Sequence, residues 1–131
     1  MENLQDLLNC LWAGVIEKHT VDLFNHTIEF DVRTNWGGVI SYHHLKFTGV
    51  KAVYYINDQF PSEPEEGDYL ELSSVSYDKD MEMEVKVSAD SKEYSHLNSK
   101  ANFLLEIWGR EVLIDALSVE VDGKFFEVGC A

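Results

Sequence analysis

The sequence predicts a mainly β protein, an antiparallel β-sandwich or open barrel of about 8–10 strands with one N-terminal α-helix. Three observations carry that expectation. Apolar residues recur with a period of two from about Val15 to Val128, turn signals separate them at hairpin spacing, and only one stretch has helical spacing. A parallel sheet would need crossover helices that the sequence does not supply. With 131 residues, 45% of them hydrophobic, the chain is expected to form a single domain over 1–131 that buries a core without staples.

The helix is expected over about residues 3–12, where Leu4, Leu7, Leu8 and Leu11 recur at i, i+3, i+4 and i+7. Asn3 is a suitable N-cap, and Asp6 suits the positive end of the helix dipole. Four leucines on one stripe imply that the helix covers an open end or face of the sheet.

Strands are expected over about 15–57 and 69–129. Val21 to Phe24 would pair across Asn25-His26 with a half-buried strand in which Ile28, Phe30 and Val32 alternate with Glu29, Asp31 and Arg33. Gly37-Gly38 offers a two-residue hairpin loop, Val39 to Phe47 returns, and Gly49 breaks the run. Ala52-Val53-Tyr54-Tyr55-Ile56 reads as a strand buried on both faces. Residues 57–68 hold Pro61 and Pro64 and form the longest expected loop. Strands follow at Tyr69 to Tyr77 and Met81 to Val87, then a polar loop over 88–100. Phe103, Leu105 and Ile107 lead to a turn placed at Gly109-Arg110. In the next run the apolar parity slips between Ala116 and Leu117, which a β-bulge or bend would explain. Asp122-Gly123 then signals a last hairpin, with Phe125, Phe126 and Val128 returning.

Ten basic against twenty-four acidic residues give a net charge of −14, which repels phosphate backbones and anionic lipid and excludes nucleic acid and membrane surfaces as partners. The acidic start of the chain has no signal-peptide character, and no apolar run is long enough to span a bilayer, so the expected location is cytoplasmic. A reducing compartment would keep Cys10 and Cys130 as thiols.

The candidate binding residues are acidic. On a strand from Asp78 to Val87, the residues Asp80, Glu82 and Glu84 would share one face, with Asp78 continuing the line and Glu63, Glu65 and Glu66 in the preceding loop. Such a stripe would steer a basic protein partner into contact; equally, it would keep a solvated strand from pairing edge to edge. His43 and His44, adjacent on a strand, point to opposite faces and cannot share one ion, while His19, His26 and His96 have no ligand spacing. No metal or cofactor is therefore expected. No G-x-S-x-G, P-loop or dinucleotide-binding motif occurs, and no catalytic residue can be named.

Taken whole, the chain resembles the small acidic all-β proteins of bacterial polymorphic toxin systems, many of which are immunity proteins. The likeness rests on the leucine-bearing N-terminal helix, on Tyr42-His43-His44-Leu45-Lys46-Phe47, and on Asn102-Phe103-Leu104-Leu105-Glu106-Ile107-Trp108-Gly109. It implies a non-enzymatic inhibitor that occludes a basic toxin domain, with no binding residue carried over. Two readings of other classes stay open: a barrel lined by Trp12, Trp36, Trp108 and tyrosines that holds a small hydrophobic ligand, and a hydrolase.

Overall fold

The computed structural model describes residues 3–57, 70–77, 84–87 and 97–128. One short helix precedes the strands: α1 (Leu4–Asn9), β1 (Gly14–Asp22), β2 (Thr27–Trp36), β3 (Val39–Thr48), β4 (Ala52–Asn57), β5 (Leu70–Tyr77), β6 (Glu84–Val87), β7 (Leu97–Lys100), β8 (Phe103–Ile107), β9 (Arg110–Asp115), β10 (Ser118–Val121) and β11 (Lys124–Glu127). Nine strands form one sheet in the order β11-β10-β3-β2-β1-β5-β8-β9-β4, and β6 pairs with β7 apart from it. Every pairing described is antiparallel, as the doublet rhythm predicts. Among the described residues the sheet is not closed, and β11 and β4 are its two outer strands.

The sheet curls so that one face becomes the core. Ile28, Phe30 and Val32 of β2 face inward beside Leu45 and Phe47 of β3. Phe47 meets Phe103 of β8, four places away in the strand order, with ring centroids 4.8 Å apart. Phe47, Phe103, Leu105 and Ile114 are each fully buried, so the interior between these strands is filled by side chains in contact. Gly14 permits the close approach of the chain around β1, because a Cβ there would collide with Val32 Cγ1 and lie 3.0 Å from the Leu11 carbonyl oxygen.

The helix is shorter than the leucine spacing predicts. It ends at Asn9, yet Leu11 is still fully buried, carried inward by the turn that leads into β1. Asn3 caps the helix by accepting the Asp6 N–H at 2.9 Å. The helix sits beside β5 where β1 has run out. There the Gln5 amide donates to the Val75 carbonyl at 3.0 Å and accepts the Tyr77 N–H at 3.0 Å, replacing a missing strand neighbour.

Three local expectations are corrected. The strand at Ala52–Asn57 is not buried on both faces: it is an outer strand with Val53, Tyr55 and Ile56 exposed, because strand order, not local hydrophobicity, decides burial. The expected polar loop over 88–100 ends in β7 (Leu97–Lys100), whose partner β6 supplies the pairing that composition does not advertise. The β8–β9 turn is centred on Trp108-Gly109, not Gly109-Arg110; both residues have positive φ, 37° and 79°, which a type I′ loop requires. The parity slip at Ala116/Leu117 is the bend of the two expected alternatives, not a bulge within one strand. The chain leaves β9, which pairs with β8 and β4, and crosses to β10, which pairs with β3 and β11. A bulge does occur, in β1, where the register with β2 shifts between Ile16 and Lys18.

Candidate functional site

Of the acidic residues singled out in the sequence, Asp78, Asp80, Glu82, Glu63, Glu65 and Glu66 lie outside the described residues. Glu84 opens β6, in register with Lys100 of β7. The described strands fix where the two acid-bearing segments attach. Residues 58–69 leave β4 at Asn57, opposite Arg110, and rejoin at Leu70, two residues before Leu72, the partner of Ile107. The segment beginning at Asp78 leaves β5 from Tyr77, opposite Phe103. The attachment points are therefore at opposite ends of β5, separated by roughly 23 Å for an eight-residue strand.

Among the described residues the densest polar assembly lies on β2 and β3, around the two adjacent histidines. Alternation sends their rings to opposite faces of β3, as the sequence predicts. His43, in register with Val32, stands on the core-facing side; His44, in register with Asp31, stands on the outer side. The His43 Nδ1 lies 2.7 Å from Asp122 Oδ2 and its Nε2 lies 3.3 Å from Thr34 Oγ1. The His44 Nδ1 lies 2.7 Å from Asp31 Oδ1 and its Nε2 lies 3.1 Å from Glu29 Oε1. Hydrogen bonds to Asp31 and Glu29 hold the His44 imidazolium above the ordinary histidine pKa, with partial burial working against them.

Asp122 ties the last hairpin to this pair. It occupies the first central position of the β10–β11 turn with φ of 50°, a left-handed conformation that aspartate tolerates better than most residues. Its Oδ1 accepts the His44 N–H at 2.7 Å while its own N–H donates to the His44 carbonyl at 3.0 Å. One side chain thus fixes both the His43 ring and the backbone of β3. Sequence reasoning names the histidines but not Asp122, Asp31, Glu29 or Thr34 as their partners. Asp31 and Glu29 are legible in hindsight, since hairpin pairing across Gly37-Gly38 sets Asp31 opposite His44.

His43, His44, Asp31 and Asp122 line part of an open depression of about 440 Å3 with Glu17, Lys18 and Tyr42. Thr34, His43 and Asp122 have the hydroxyl–imidazole–carboxylate order of a nucleophilic triad, but Thr34 is only 3% exposed, so its hydroxyl offers no approach to a substrate. The two carboxylates on His44 sit at different ring nitrogens, and among the described residues no group of three or more His, Cys, Asp and Glu side chains is arranged to hold a metal ion. What the cluster does chemically is join β2, β3 and the β10–β11 turn by charge-assisted hydrogen bonds.

Fold and side chains together define an acidic protein built on an open, curled antiparallel sheet, in which the described cluster around His43 and His44 joins strands. The chain belongs to the YxiG-like protein family, whose model matches residues 4–126. No curated protein matches the chain. Among the described residues no helix is long and apolar enough to cross a membrane.

Proposed function

We propose that this protein is a non-enzymatic cytoplasmic binding protein that occludes a basic protein partner, in the manner of a toxin-immunity protein. The observation that carries the proposal is where the charge lies. Residues 58–96 contain twelve Asp and Glu against three Lys, a net −9 of the chain's −14. An excess concentrated in one part of the chain steers a cationic surface toward that part, and ion pairing then holds it. Asp78, Asp80, Glu82, Glu84, Glu63, Glu65 and Glu66 are the contact residues proposed, as two acidic sites rooted at opposite ends of β5. Among the described residues, the packing of Phe47 against Phe103 favours this reading over a hydrophobic-ligand barrel, since the two rings occupy space that such a ligand would need. The closed-off Thr34 hydroxyl likewise weakens the hydrolase alternative.

The test is capture from the native host on the immobilised chain, with bound material identified by mass spectrometry. A parallel capture uses a variant with those seven carboxylates changed to the corresponding amides. The expected result is a basic polypeptide retained by the wild type and lost by the variant. A bound lipid, or a polypeptide held equally by both, would overturn the proposal.

A further inference from the structure

The two outer strands of the sheet are defended differently. β11 carries Lys124 and Glu127 at its ends, charges of the kind that discourage strand addition. β4 reads Ala-Val-Tyr-Tyr-Ile-Asn, with no Asp, Glu, Lys, Arg or Pro and no bulge in its pairing with β9. Its core-facing side chains are also solvent-exposed. Val53 and Tyr55 are in register with Ile114 and Val112, both buried, yet are themselves 40% and 62% exposed. They carry the apolar inner face of the sheet out past the last strand that covers it.

A groove of about 300 Å3 runs alongside, lined by Val21, Ile28, Val50 and Val53 among others. On its rim the β1–β2 turn holds Leu23 and Phe24 outward, 80% and 89% exposed. Asp22 fixes that turn by accepting the N–H groups of Phe24 and Asn25, both at 3.0 Å, and the Asn25 amide at 2.7 Å. The exposed position of Phe24 therefore follows from a turn with its own hydrogen bonds.

We infer that β4 is a pairing edge for a second copy of this chain, forming a two-fold antiparallel dimer through β4 with Leu23 and Phe24 packing over the seam. A two-fold axis through Tyr54 sets Val53 opposite the partner's Tyr55 and brings no like charges face to face within Ala52–Ile56. The area suffices. Phe24 and Tyr55 each present much of an aromatic side chain, on the order of 150–250 Å2, and the exposed aliphatic residues bring the patch toward the roughly 800 Å2 per partner of a standard interface. Two copies each carrying −14 repel at long range, so added salt strengthens this contact, opposite to its effect on capture of a cationic partner.

Sedimentation velocity over a concentration series at low and high salt tests the inference, using the wild type, Tyr55→Lys, Phe24→Ser and, on the other outer strand, Phe125→Lys. The wild type is expected to pass from monomer to dimer with concentration, and more readily at high salt. Tyr55→Lys and Phe24→Ser should each weaken the dimer at least tenfold, while Phe125→Lys leaves it unchanged. Near-UV circular dichroism checks folding, and Phe24→Ser, in an exposed turn, decides the matter should Tyr55→Lys fail to fold. A wild type that stays monomeric at both salts, or a dimer that survives both β4-side variants or is lost with Phe125→Lys, would overturn the inference.

Discussion

His44 links ionisation to stability more directly than any other described residue. Its folded-state pKa is raised by Asp31 first and Glu29 second, against an ordinary value of 6.5. A raised value means that the protonated ring binds the fold more strongly than the neutral one. Its contribution is therefore complete below about pH 6.5 and is lost as pH climbs through the raised value. The ring is 44% exposed, so solvent screening limits the effect to on the order of 0.5–1 kcal/mol. His44→Gln should lower the urea midpoint relative to wild type at about pH 5.5 and bring the two proteins together at about pH 9. An unchanged gap between them across that range would show that the carboxylate pair does not hold the ring charged. At this scale the sequence shows the opposed directions of His43 and His44, because alternation is local. It does not show Asp122, which sits 79 residues from His43 and reaches it only through the β10–β3 pairing.

Elements were legible where their chemistry is local. The loops at Gly37-Gly38 and Asp122-Gly123 have positive φ at both positions, as their composition predicts. The helix start is likewise written in Asn3 and Asp6. Position within the sheet is not local, and there the reading erred, as for β4, whose five apolar residues say nothing of being outermost. The bend between β9 and β10 is legible as a parity slip, but what holds it is not. Asn102, a polar residue just before β8, donates its amide to the Ala116 carbonyl at 2.9 Å and accepts the Ala116 N–H at 3.1 Å. It satisfies a fully buried residue where no strand neighbour does. Asn102→Ala orphans both backbone groups and should cost about 2–6 kcal/mol, at 1–3 kcal/mol for each unmet bond. Chemical denaturation measures it, and a loss under about 0.5 kcal/mol, the size of an ordinary surface substitution, would contradict this role.

For the molecule as a whole, the period-two pattern gave the architecture, and the composition gave a strong negative field without saying what it meets. Strand spacing points to Asp78, Asp80, Glu82 and Glu84 and the preceding loop supplies Glu63, Glu65 and Glu66, while the described strands add that the two segments attach at opposite ends of β5. An acid-steered encounter has a kinetic signature that a fixed apolar contact lacks, because screening acts on the approach before any contact forms. The most direct measurement is the association rate of the chain with its captured basic partner, followed by stopped flow as ionic strength rises. The account predicts a steep fall in that rate with salt and a slow, nearly salt-independent rate for the seven-amide variant. A wild-type rate indifferent to salt, or equal to that of the variant, would contradict it.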